Sequence, residues 1–390
     1  MDNLKFVLKA SVMLCVLGLS SCNYIDDYTL GKDNTPVPSP LPKIAHQKEI
    51  KIDWSKDIGH FTKGILTPDL QPAIDNGKLF VGTNDGSVSA VQAQTGQVLW
   101  QIKLDTPLLA GPVLSESYVI LCGDDSAIYV LEKGTGAIKH RIPLSNDSIA
   151  KPLVHQNTLY VKTINGHLYR INLITGHIDW TYERGSPEII LKASSSPVIY
   201  QNMVFAGFSD GALVGLDQSN GHVLFQQHIA FPVGASEIES LVDIDTNPII
   251  DGDDLYIATY QGEVGVYSIR NSQFKWHRRA STYHDLAIEG QYMIMVDSHD
   301  VIWAFEKNTG QVLWKQKGLK ARGLSAPVFW HHQIWVADRL GVMHGIDPNT
   351  GEFKGQIQLP SAATSAPVVK HDNCWVTTSN GQLHRLLLRN

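Results

Sequence analysis

One short pattern is written seven times along this chain, and it limits the available folds more than any other feature. An apolar strand runs into a turn, Thr-Gly in five of the seven copies, and a further strand follows that ends at Trp100, His140, Trp180, Phe225, Trp276, Trp314 or Gly355. The steps between those ends are 40, 40, 45, 51, 38 and 41 residues. A repeat of about 20–50 residues means stacked units, none of which can bury its apolar face alone. Within one unit, from Pro72 to Trp100, the alternating segments Lys78 to Thr83 and Ser87 to Gln92 are set off by Asn76-Gly77, Asp85-Gly86 and Thr95-Gly96. Gly after Asn or Asp accepts the positive φ of a tight hairpin, so each unit reads as four antiparallel strands. Pro72, Pro112, Pro152, Pro197, Pro248, Pro327 and Pro367 open the units, and only the one near Asp285 lacks its proline. At the first residue of a strand, proline removes no ladder donor.

The two ends of the repeat region complete each other. The unit from Pro367 stops at Asn390 after three strands, while Ile50 to Ser55, with Trp54 in the bulky slot, stands alone ahead of the first unit. An open stack would need polar caps at both ends, and none is visible. The expected fold is therefore all-β: an eight-bladed β-propeller of four-stranded antiparallel blades, its last blade closed by the N-terminal strand. Residues 50–390 divided by eight give about 43 residues per unit, the size of a propeller blade.

Ahead of the ring, Lys5 and Lys9 precede the apolar stretch Ala10 to Leu19, which is too short to span a bilayer and fits a signal peptide over residues 1–21. Leu19-Ser20-Ser21-Cys22 resembles the bacterial lipobox, which implies cleavage before Cys22 and acylation of that cysteine. Several acyl chains anchor stably where one holds only marginally. Asn23, where a sorted lipoprotein kept at the inner membrane would carry Asp, favours delivery to the periplasmic face of the outer membrane. Residues 22–49, with Pro36, Pro38, Pro40 and Pro42, read as an extended tether that buries nothing. The domain plan is signal 1–21, tether 22–49 and propeller 50–390.

Most apparent chemistry dissolves in the repeat frame. Gly207-Phe208-Ser209-Asp210-Gly211 matches a nucleophile elbow, but it occupies a hairpin slot, not a strand-to-helix turn. Asp243-x-Asp245-x-Asn247 begins like a calcium loop and then places Pro248 where the loop needs Gly. His331 and His332, placed on a strand, would point to opposite faces and could not share a metal. Cys122 and Cys374 fall in units that do not adjoin, which favours two buried thiols. A formal charge of −6 supplies no basic footprint for nucleic acid.

Two segments interrupt the repeat: Tyr182 to Ser196 and Phe231 to Asn247. Insertions in repeat folds map to one face, often the binding face. The first carries Ile189, Ile190, Leu191 and Lys192, and the second Glu237, Glu239, Asp243 and Asp245. Apolar anchors beside opposite charges suit a protein-binding patch; a loop that covers its own blade and solvates its acids suits the same residues.

Two resemblances bear on this choice. The repeat slot is similar to the Trp-containing blades of quinoprotein dehydrogenases, which implies the fold. The chain lacks their vicinal cysteine pair and long insertions, so no cofactor is expected and a periplasmic dehydrogenase using pyrroloquinoline quinone is the alternative reading. The lipobox, the tether, the ring and the string from Glu237 to Pro248 together resemble the BamB lipoprotein family of the outer-membrane β-barrel assembly machinery. That resemblance implies a non-enzymatic scaffold whose partners are the periplasmic POTRA repeats of BamA, with unfolded outer-membrane proteins as a further partner. By register it places the contact on Ile189, Leu191 and Lys192 and on Asp243 and Asp245. Lys192 stands where the family has arginine, whose bidentate fork lysine cannot reproduce.

Overall fold

The computed structural model describes residues 36–44, 50–61, 69–185, 195–229, 244, 246–259 and 262–388. From Ser39 onward the chain forms one compact unit. Its strands make eight four-stranded antiparallel sheets, a closed eight-bladed propeller in which each blade runs from a short inner strand to an outer edge. Blades 1 to 7 occupy residues 73–103, 108–143, 153–183, 198–228, 249–279, 287–316 and 328–358, and blade 8 joins 368–388 to 50–57. Second and third strands such as Lys78–Gly82 and Ser87–Gln92 are buried almost throughout, because they have a strand on each side and a blade on each face. Outer strands alternate instead: in Val98–Lys103, Leu99 is exposed and Trp100 is turned inward.

The recurrent Gly and Trp turn out to be two halves of one joint between blades. The indole of Trp100 donates through Nε1 to the Lys133 carbonyl at 3.0 Å, and its ring lies under Gly136, the turn glycine of the next blade. Trp180, Trp276 and Trp314 repeat the bond to the following blade. In blade 2, His140 does the same work through Nε2 to the Ile174 carbonyl at 3.0 Å. Blade 7 ends in Gly355, and the space is filled from within by the Trp335 ring, which lies over Gly345 and Gly355. A Cβ on Gly136 would meet the Trp100 ring at 2.7 Å, on a backbone with φ of +76°. Gly136→Ala should therefore cost about 1–3 kcal/mol and lower the melting temperature by several degrees. Gly134→Ala, two residues away with nothing within 4 Å, should leave the melt unchanged.

Ring closure follows the expected route. Ile50–Asp57 pairs with Gln382–Leu388 from Ile50↔Leu388 to Asp57↔Gln382, with one bulge between Ile52 and Trp54. The Arg385 guanidinium holds Asp53 at 2.8 Å and the Gln94 carbonyl of blade 1 at 3.1 Å, and the Ser55 hydroxyl meets His384 Nδ1 at 2.7 Å. Trp54 packs against Gly96 as the other slot tryptophans pack on their glycines, but its Nε1 finds no acceptor, because the Ala93 carbonyl of blade 1 takes the Trp375 indole at 3.3 Å instead.

The residue following an outer strand donates its N–H to the turn between second and third strands. Examples are Leu104 to Gly86, Ile229 to Gly211 and Leu359 to Gly341. All links between blades therefore open on one face, here called the link face, together with those turns. In the tether, the structure departs from the sequence reading. Ser39 is engaged rather than free: its N–H donates to the Lys320 carbonyl at 2.9 Å, and Arg322 donates to its carbonyl at 2.8 Å. A single residue with both backbone groups bound leaves no apolar pattern for a sequence to display.

Candidate functional site

Cys22, Ile189, Leu191, Lys192, Asp243 and Asp245 lie outside the described residues. The described residues give the roots of both insertions, which bracket blade 4 and open on the link face. Arg184, just past the outer strand of blade 3, is ion-paired with Asp210 at 2.5 Å. Burial raises the Asp210 carboxyl, but the hydrogen bonds from Arg184 and the Ala212 N–H and the charges of Arg184 and His228 together outweigh it, and the net shift is downward. Ser195 is fully buried, and the Lys162 ammonium spans blades 3 and 4 by donating to the Gly207 carbonyl at 2.7 Å and to Ser195 Oγ at 3.3 Å. On the other root, Ile244 is fully buried and packs on Gly207, while Thr246 Oγ1 donates to the Ala258 carbonyl at 2.8 Å.

The two roots meet. The Ser196 N–H donates to Asn247 Oδ1 at 2.7 Å, joining the return end of the first insertion to that of the second across 51 residues of chain. Asn247 in turn donates through its backbone N–H and its Nδ2 to the two oxygens of Asp285, both at 2.8 Å. Burial pushes the Asp285 carboxyl upward, and Asn247 partly offsets it. Gln71, Lys151, Ser196 and Asn247 each precede the opening proline of a blade, and Asp285 occupies that position in the blade without one. Lys151 meets Asp69 at 2.8 Å and Gln71 at 3.1 Å. In five of the eight blades the position before the proline is thus polar, and these residues bond one another in two groups, Ser196 with Asn247 and Asp285, and Lys151 with Gln71; Gly111, Ala326 and Ala366 hold it in the other three. Sequence reasoning missed these bonds, although the prolines marked where they would lie.

The remaining chemistry is plain. Ser209 sits on the hairpin between Met203–Gly207 and Ala212–Asp217, as the repeat frame requires. His331 and His332 are not on a strand: they form the turn between Val328–Trp330 and Gln333–Ala337, with φ of 49° and 60°. A two-residue hairpin turn of this type needs positive φ at both positions, which histidine tolerates better than branched residues. Among the described residues no group of three or more His, Cys, Asp or Glu side chains could hold a metal ion. Cys122 and Cys374 are free and buried, and burial pushes both thiols up, Cys122 to about 12, where the reactive thiolate is scarce.

One partly buried histidine should make the ring acid-sensitive. Burial drives the His284 imidazole down to about 4, with Asp300 pulling it back up and Arg339 adding to the drop. The ordinary value near 6.5 holds in the unfolded chain, so this stability is present above pH 6.5 and is lost as pH falls toward 4. The loss between pH 7 and pH 5 should be about 2 kcal/mol from this group alone. Thermal melts across that range should show it, and His284→Gln should flatten the profile.

A closed ring of eight blades, most of them joined by slot tryptophans, with the return ends of two insertions hydrogen-bonded together, defines an eight-bladed propeller built on a Trp-containing repeat. The family model described as outer membrane protein assembly factor BamB matches residues 84–316. A protein of that description from Legionella pneumophila (strain Paris) is 37% identical over 375 residues, 96% of this chain and 97% of its own length. One from Yersinia pestis is 27% identical over 90% of this chain and 91% of its own. The chain belongs to the BamB family, which comprises accessory assembly factors and not enzymes. The crystal structure of BamB from Moraxella catarrhalis shares the fold, with a TM-score of 0.79 at 22% identity over 87% of this chain and all of that one. A europium-containing methanol dehydrogenase, at a TM-score of 0.72 and 11% identity over 87% of this chain and 93% of that chain, is a likeness of fold alone.

Proposed function

We propose that this protein is a lipid-anchored scaffold of the outer-membrane β-barrel assembly complex. It docks on the periplasmic POTRA domains of BamA and assists the folding and insertion of outer-membrane proteins. The observation that carries the docking half is the Ser196 to Asn247 bond, which ties the returns of both insertions to one point on the link face. On this reading the contact residues are Ile189, Leu191 and Lys192 on one insertion and Asp243 and Asp245 on the other, far apart in sequence but on segments whose return ends are tied together. Ile244, which stands between Asp243 and Asp245 in the sequence, is held in the core and fixes this root to the ring.

The substrate half rests on blade 4. Its outer strand, Val223–His228, is the one outer strand of the eight without Asp, Glu, Lys or Arg, and Val223 and Leu224 are 45% and 54% exposed. Charges protect a sheet edge against pairing, and their lack suits β-augmentation by an unfolded barrel strand. Tagged protein purified from envelopes should bring BamA with it; a tagged chain that recovers no assembly-complex subunit would refute the docking reading. Cys22→Ala should leave the precursor unacylated and move it out of the outer-membrane fraction. Continued palmitate labelling of that variant would exclude Cys22 as the lipid site.

A further inference from the structure

We propose that the link between blades 6 and 7 is a docking site for the chain's own tether, which leaves the ring at Ser39 on the link face. From Pro36 to Pro42 only Val37, Ser39 and Leu41 carry a backbone N–H, since every second residue is proline. Such a stretch is held extended before it binds, so ordering it costs little. Ser39 uses both backbone groups, donating to the Lys320 carbonyl at 2.9 Å and accepting from Arg322 Nη1 at 2.8 Å.

The receiving site is a buried cluster of charged groups in the link between blades 6 and 7 and the hairpin beside it. Arg322 is 5% exposed and its Nε stands 2.6 Å from Asp338 Oδ2; Asp338, 1% exposed, also meets His344 Nε2 at 3.0 Å and accepts the Val342 N–H at 2.8 Å. Asp300 takes the N–H groups of Gly323 and Leu324 at 2.8 and 2.9 Å. The turn presenting the Lys320 carbonyl has Ala321 at φ 57° and Gly323 at φ 67°. Left-handed alanine persists only where its surroundings enforce it, and such positions gather at clamps. A buried guanidinium is tolerable only if its donors are used, and the Ser39 carbonyl takes one that Asp338 does not. Among the described residues no other link between blades holds a buried arginine.

The geometry has a consequence for the anchor, which rests on the reading of Cys22 as the lipid site. Ile50 pairs with Leu388 on the face opposite the links, so the chain changes face between Ser39 and Ile50. Among the described residues, the first bound one after Cys22 is then Ser39, eleven positions before the strand that starts at Ile50.

Val37 is 87% exposed, whereas Cys122 and Cys374 are buried, so a dye on Val37→Cys reports on the tether alone in the full-length acylated protein. Its anisotropy should be high. Ser39→Pro removes the one N–H donor while leaving Arg322 and Asp338 intact, and should lower the anisotropy at least twofold toward that of a free tether. Ser39→Ala keeps both backbone groups and should change nothing. Equal anisotropy for the Ser39→Pro variant and its parent, or a free-tether value in the parent itself, would overturn the docking. The same measurement on a soluble chain starting at residue 23, run beside vesicle flotation of the acylated protein, separates the two readings. Loss of flotation with anisotropy intact rejects the anchor and keeps the dock.

Discussion

Deletion of Ile50 to Ser55 is expected to turn a soluble ring into an aggregating chain. The strand supplies Ile50 and Ile52 to the apolar cluster shared by blades 7 and 8 and Trp54 to the one between blades 8 and 1. Full burial of such a side chain is worth about 1.5–3 kcal/mol, and these three, each partly buried, contribute a share of that apiece to a domain held together by only about 5–15 kcal/mol. The deletion also leaves Arg385 without Asp53 and His384 without Ser55. What it uncovers is Gln382–Leu388, an edge with three consecutive leucines at its end. An unpaired apolar edge invites pairing with other chains. The control is a deletion of Asp26 to Thr35, which stops short of the bound Ser39 and should keep the protein monomeric with a parental melt. Size-exclusion chromatography and thermal melts read both, and equal behaviour of the two truncations would refute closure by this strand as the source of stability.

Reversal of both acids on the second insertion, Asp243→Lys with Asp245→Lys, should abolish co-purification with BamA while the melt stays near that of the parent. Stability at this root comes from Ile244 in the core, from Thr246 on Ala258 and from Asn247 on Asp285, none of which the reversal removes. A charged contact at a buried interface costs about 2–5 kcal/mol when one partner is left unpaired, and reversal adds repulsion to that loss. The expected drop in affinity is therefore at least about thirtyfold. Leu191→Glu should act alike by removing an apolar anchor from the first insertion. Lys192→Arg should bind at least as well as the parent, since it restores a planar fork. Parental recovery of BamA by the double reversal would move the contact elsewhere on the ring.

The joint at Ser196 and Asn247 gives these mutations a test of its own. Asn247→Ala should weaken the dock without touching a proposed contact residue, because it unties the two returns and leaves Asp285 with fewer donors.

What the chain wrote locally was readable without coordinates. Asn76-Gly77, Asp85-Gly86 and Thr95-Gly96 announce hairpins because a tight turn is decided by the φ of two adjacent residues, and the blade period is the sum of such turns. The unmatched Trp54 strand and the short last unit announced closure because each lacks what the other has. The histidine pair was misplaced, since nothing in an isolated His-His separates a strand from a turn with positive φ; only pairing of Val328–Trp330 with Gln333–Ala337 did that. The bond from Ser196 to Asn247 and the seat of Ser39 on Arg322, 283 residues apart, were decided by the ring alone. Contacts of that kind join single polar or small residues from distant units, carry no periodic signal, and come into being only when eight blades close and fix which links lie side by side.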